Sequence, residues 1–185
     1  MRKYRVPGAI GGVVVIAALL VVLARSGGSS STATPASAFA AQTGAKTSST
    51  IDNIPCESGE QLSYHVHAHL AVYVNGQQQT IPNGIGINLG KPCLYWLHTH
   101  TADGVLHIEA PNQQSFTLGQ FFDVWGQTLS SKQVATAQGP VTAFVDGQSY
   151  SGDFRAIALN AHSVVQLNVG SGNPGAQAFT FPTGE

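Results

Sequence analysis

Residues 62–74 alternate apolar and polar side chains with a period of two. Tyr64, Val66, Ala68, Leu70, Val72 and Val74 share one face, and His65, His67, His69, Ala71 and Tyr73 share the other. Successive side chains of a strand point to opposite faces, so the pattern predicts a strand with one core face and one histidine-rich face. Asn75-Gly76 follows, a pair that tolerates positive φ and so favours a two-residue hairpin turn. Residues 77–81 are then expected to return beside the first strand until Pro82-Asn83-Gly84 breaks the run, with residues 85–89 as a short extended piece. Residues 94–100 read as a strand carrying Trp96, His98 and His100 on one face. Asp103-Gly104 reads as another hairpin turn, leading into a strand over 105–110.

The period then changes. Thr117 can cap a helix, and Leu118, Phe121, Phe122, Trp125 and Leu129 recur at helical spacing, which predicts one helix around 117–129 packed on a sheet. Residues 141–145, the turn Asp146-Gly147 and residues 148–151 form a third hairpin, similar in pattern to the one at Asn75-Gly76. Residues 156–159 and 163–169 read as two more short strands, and the Gly/Pro-rich tail from Gly170 as loose. The expected fold is mainly antiparallel β, a sandwich or an α+β arrangement, with a single helix.

The front of the chain follows other rules. Arg2, Lys3 and Arg5 precede an uncharged apolar run over residues 7–24, which predicts an N-terminal membrane anchor or signal segment over 1–25. A retained anchor is the expectation, with the basic end on the cytoplasmic side and the rest outside; cleavage would make the protein secreted. Residues 26–50 are rich in Ser, Thr, Ala and Gly and read as a flexible linker, because they offer little apolar surface to bury. Residues 51–185 are long enough for one domain with one core.

Charge narrows the partners. In 51–185 three basic residues (Lys91, Lys132, Arg155) face nine acidic ones, a net charge of −6 with histidine neutral. No basic patch exists to neutralise phosphates, which excludes nucleic acid as an expected partner. The two cysteines, Cys56 and Cys93, are expected to form a disulfide in an oxidising compartment; the alternative is that Cys93 joins a mixed Cys/His copper site.

Six of the seven histidines fall in three clusters: His65, His67 and His69; His98 and His100; and His107, two residues before Glu109. With a two-residue loop at Asp103-Gly104, Ala102 pairs with Val105, His100 with His107, and His98 with Glu109. These four then form a grid on one face, with opposed Cβ atoms about 4.5–5.5 Å apart. A four-residue loop would oppose His98 with His107 and keep the set on that face; a bulged three-residue loop would not. Imidazole nitrogens bind metals at about 2.0–2.1 Å, so four such side chains can converge on one ion. His65, His67 and His69 are further candidate ligands. His65 and His69 lie roughly 13 Å apart along an ideal strand and cannot easily share one ion. An adjacent pair is therefore expected to join the site, with the third behind it or in a second site, and the central His67 is the first choice. His162 sits in a turn and is left out of the site.

Three histidines and a glutamate resemble the ligand set of cupins, and a His-x-His strand resembles those of carbonic anhydrases and copper–zinc superoxide dismutases. The order and surroundings of the residues match none of them. Nitrogen donors with one carboxylate suit copper or zinc, and also iron, manganese or nickel. The single methionine, Met1, argues against a Met-rich copper(I) carrier. The leading expectation is an extracytoplasmic protein that holds or delivers copper or zinc. The alternatives are a metalloenzyme acting on O2, superoxide or water, a structural-zinc interaction module, or a metal-free pH-responsive face.

Overall fold

The structure, a computed structural model, describes Met1, Phe39 and residues 49–185. The apolar run at 7–24 lies outside the described residues, among which no helix is long and apolar enough to cross a membrane. In chain order the elements are β1 (Cys56–Glu57), β2 (Tyr64–Val74), β3 (Gln77–Gln79), β4 (Ile87–Asn88), β5 (Cys93–Tyr95), β6 (Leu97–His98) and β7 (Val105–Ala110). The helix α1 (Leu118–Trp125) follows, then β8 (Leu129–Ser130), β9 (Gln133–Val134), β10 (Ala137–Gln138), β11 (Val141–Val145), β12 (Gln148–Tyr150), a 3-10 turn (Phe154–Ala156) and β13 (Val164–Val169). The described residues are β-rich with one α-helix.

One large sheet has the order β12-β11-β13-β2-β7-β6, with β3 also paired to β2; β1-β5-β4 and β10-β9-β8 form two small sheets. All pairings are antiparallel except β13 with β2, which run parallel from Val164 opposite His69 to Val169 opposite Val74. β2 therefore lies in mid-sheet. Its apolar face carries Ala68, Leu70 and Val72, continued by Leu106 and Ile108 of β7 and Val165, Leu167 and Val169 of β13, all at most 1 % exposed. α1 covers this core with Leu118, Phe121, Phe122 and Trp125, and Phe39 adds its ring 5.8 Å from that of Trp125. Thr117 caps α1 in a capping box with Gln120.

The hairpins at Asn75-Gly76 and Asp146-Gly147 form as expected. Val74 pairs with Gln77 and Val145 with Gln148, and all four turn residues have positive φ. Several expectations are corrected. α1 ends at Trp125 because Gly126 adopts a left-handed φ of 70° and closes the last turn, so Leu129 belongs to a strand. Residues 156–159 are not a strand: Asp153 caps the 3-10 turn, and Ala158 makes only an isolated bridge to Thr117. The 94–100 strand is broken at Trp96, with β5 in a small sheet and β6 in the large one.

The loop at Asp103-Gly104 is also longer than two residues. The observed register opposes Leu97 with Ile108 and His98 with His107, the alternative pairing, and not His98 with Glu109. Thr99 is the reason: its N–H donates to the Ile85 carbonyl (3.1 Å), its carbonyl accepts from Gly84 N–H (2.8 Å), and its hydroxyl donates to the Pro82 carbonyl (2.8 Å). These bonds draw the chain off β7 just after His98. Asp103 then turns it locally, accepting from Val105 N–H and the Thr101 hydroxyl, while Gly104 O accepts from Leu70 N–H. Any side chain at Gly104 would run into the Leu70 carbonyl, at a φ of 87° that already favours glycine.

Candidate metal centre

The register brings three strands into one row. His67 of β2 lies opposite His107 of β7, and His107 lies opposite His98 of β6. In the next row His65 lies opposite Glu109. These residues are two apart along each strand, so all point to the face away from the core. His100 reaches the same place just past β6, its Nε2 3.1 Å from His98 Nε2.

The donor atoms converge. His65 Nε2 is 3.0 Å from His67 Nε2, and His67 Nε2 is 3.2 Å from His107 Nδ1. Glu109 Oε1 lies 3.3 Å from His65 Nε2, 3.5 Å from His107 Nδ1 and 3.7 Å from His98 Nε2. With metal bonds of about 2.05 Å, neighbouring ligand atoms lie ~2.9 Å apart in octahedral and ~3.3 Å apart in tetrahedral geometry. The observed spacings fall in and just above that range. Two sets have donor atoms all within 4.8 Å of one another: His98, His100, His107 and Glu109; and His65, His67 and His107.

Glu109 is the chemical test of fit. It is 2 % exposed, and its Oε2 is buried without a hydrogen-bond partner. A buried carboxylate normally requires a cation. Among the described residues, its partners within ion-pairing distance are histidines, while the Arg155 guanidinium is engaged by Asp123. Burial, with the nearby charge of Glu60, pushes the Glu109 carboxyl up to about 7. Burial holds His98 down at about 4 and His107 at about 3, the latter helped by the surrounding imidazoles, and it lowers His67 as well. The imidazoles that line the interior are thus neutral at neutral pH, with lone pairs to offer. His98 is also oriented: its Nδ1–H donates to the Tyr95 carbonyl (2.8 Å), which leaves the Nε2 lone pair facing the cluster.

The interior is not sealed. The side chains of His65 and His100 are 36 % and 39 % exposed, which gives a small ion a way in from that side. The structure sets His69 apart from the other histidines. Its Nε2–H donates to the Asp103 carbonyl (3.1 Å), and its ring stacks on Phe179 at 3.5 Å. Cys56 and Cys93 are bridged to each other, which removes Cys93 as a ligand and ties β1 to β5 just before His98.

Two acidic residues near the cluster escape the sequence reading. Glu60 Oε1 lies 3.5 Å from His100 Nε2, and nothing in the sequence marks it out. Glu185 Oε2 lies 3.0 Å from His67 Nε2 and 3.8 Å from His107 Nε2. The tail that carries Glu185 is held down, contrary to the expectation of a loose end. Asn168 and Gln166, buried on the histidine-bearing side of β13, donate to the carbonyls of Pro174 (3.0 Å) and Gly175 (3.1 Å). Phe181 then packs on His162 at 4.6 Å. The signal was the pair Phe179 and Phe181, apolar rings in an otherwise small and polar tail that require a surface to cover.

No family model, no curated protein and no solved structure matches the chain. The functional reading rests on the geometry of the site.

Proposed function

We propose that this protein binds a transition-metal ion, copper or zinc, through His98, His100, His107 and Glu109. One observation carries the reading: three imidazoles, drawn from β6, β7 and the turn beyond β6, come together with the buried Glu109 carboxylate, whose ion-pairing partners among the described residues are all histidines. All donors are nitrogen or oxygen. Both cysteines are in the disulfide, so soft thiolate ligation is absent from this set. Nitrogen with one carboxylate suits copper(II) and zinc. The disulfide and the basic, then apolar, N-terminus support a domain displayed outside the cytoplasm, anchored to the membrane or secreted. There it would hold or deliver the ion.

The exposed flank at His65 and His100 favours a second reading, a metalloenzyme whose ion keeps an open position for O2, superoxide or water. Elemental mass spectrometry of the purified full chain tests the first reading, beside a variant with His98, His100 and His107 all changed to alanine. At least one equivalent of copper or zinc, lost in the variant, is the expected result. A metal-free chain that takes up no ion on titration would sink both readings. Turnover of superoxide, or oxidase or hydrolase activity by the loaded protein, would favour the enzyme over the carrier.

A further inference from the structure

The cluster holds more donors than one ion can use. His65, His67, His98, His100, His107, Glu109 and Glu185 all present a nitrogen or oxygen to it. Ligands of a single ion with bonds of about 2.1 Å lie at most ~4.2 Å apart, across the ion from each other. The donors instead fall into two groups that satisfy a mutual 4.8 Å limit separately, and His107 alone belongs to both. The first group has its four ligands. The second, His65, His67 and His107, has three, and the tail brings a fourth: Glu185 Oε2, 3.0 Å from His67 Nε2 and 3.8 Å from His107 Nε2.

We propose that the protein holds a second transition-metal ion beside the first, ligated by His65, His67 and Glu185, with the His107 ring shared between the two. The proposal rests on the reading of the first set as a metal site. His107 offers both ring nitrogens to the cluster: its Nδ1 lies 3.2 Å from His67 Nε2 and 3.5 Å from Glu109 Oε1, and its Nε2 lies 3.8 Å from Glu185 Oε2. When both nitrogens bind, the ring's remaining proton leaves to solvent, so filling the second site releases one proton from His107. Glu109 lies between the groups, its Oε1 3.3 Å from His65 Nε2, and its second oxygen is free of hydrogen bonds. The role of the docked tail is then to bring a carboxylate to a set that is otherwise one ligand short. The polar face of β13 supports this placement: Gln166 and Asn168 hold the tail's Pro174 and Gly175 carbonyls, and Gln166 Oε1 accepts from Gln177 N–H at 2.8 Å.

The full chain is titrated with copper(II), and separately with zinc, following bound equivalents and the copper(II) spin-resonance signal. Wild type is expected to take two equivalents, with the isolated copper(II) signal losing intensity as the second fills through magnetic coupling across the shared ring. His65→Ala/His67→Ala is expected to take one equivalent and give an uncoupled signal. Glu185→Gln is expected to keep the first equivalent and bind the second at least tenfold more weakly. Circular dichroism of each variant shows that it is folded. Wild type saturating at one equivalent overturns the second site, whichever substitutions then abolish it. So do two equivalents that survive His65→Ala/His67→Ala, and two ions whose signals stay uncoupled. Each of these leaves the first site standing, whereas no binding at all removes both.

Discussion

The His65 imidazole and the Glu109 carboxylate stand directly opposite one another across the β2–β7 pair, their facing atoms 3.3 Å apart. Among the described residues no lysine or arginine pairs with Glu109, so the metal-free domain bears the cost of a buried, poorly compensated acid.

Glu109→Gln should separate stability from binding. The amide keeps the shape and removes the charge. Metal affinity should fall at least about tenfold, or about 1.4 kcal/mol, while the metal-free melting temperature holds or rises. Calorimetric titration and thermal melts with and without metal check both halves. A variant that binds metal as tightly as wild type would remove Glu109 from the ligands.

The pH dependence has a definite sign. His98 at about 4 and His107 at about 3 take up protons less readily folded than unfolded, where the value is near 6.5. Their contribution is complete above pH 6.5 and is lost as pH falls through the folded values, because each proton then taken up binds the unfolded chain more tightly. Glu109, at about 7 against 4.5, acts the other way: its contribution is present below pH 4.5 and is lost as pH rises to 7. Two imidazoles outweigh one carboxyl, so the metal-free melting temperature should drop as pH is lowered from 6.5 to 4. At pH 7, where the Glu109 carboxyl is about half protonated, metal binding should release about half a proton from it. Melts across pH, and titrations in buffers of different ionisation enthalpy, read these effects.

His69→Ala should leave the metal stoichiometry untouched. Its ring serves the Asp103 carbonyl and the stack with Phe179, not the cluster. The expected loss is about 1–2 kcal/mol of stability, with earlier proteolysis of the tail. Stoichiometry and limited digestion test this together.

Changing Cys56 and Cys93 to serine should cost about 2–4 kcal/mol, from the chain entropy of a loop spanning 37 residues. Because β5 leads straight into β6, metal affinity should weaken as well. Chemical denaturation with and without metal measures the two effects. Unchanged affinity would show that β6 is positioned without the bridge.

Much of the site was legible in the chain because strand alternation is local. Whatever their partners, His65 and His67 must share a face, as must His107 and Glu109. The two Gly-containing turns at 75–76 and 146–147 and the Thr117 cap were readable for the same reason. The register of β6 on β7 was not, because it is decided by Thr99 bonding to Pro82, Gly84 and Ile85, residues whose approach no pattern near His98 announces. The parallel pairing of β13 with β2 and the arrival of Glu185 are likewise long-range events. The separation of His69 depends on Phe179 and on the carbonyl of Asp103, both far from it in sequence.

The parallel pairing also sets an order of events. β2 carries the first histidines of the site, yet its neighbour β13 is among the last parts of the domain to be synthesised, with Val164 pairing back to His69. Until β13 arrives, β2 is an edge strand, and the tail bearing Glu185 does not yet exist. Contacts of such long sequence separation form slowly. β2 and β7 alone align His65 with Glu109 and His67 with His107, so the nascent chain can assemble that part of the cluster early, and the proposed second site, which takes Glu185 from the tail beyond β13, is completed last.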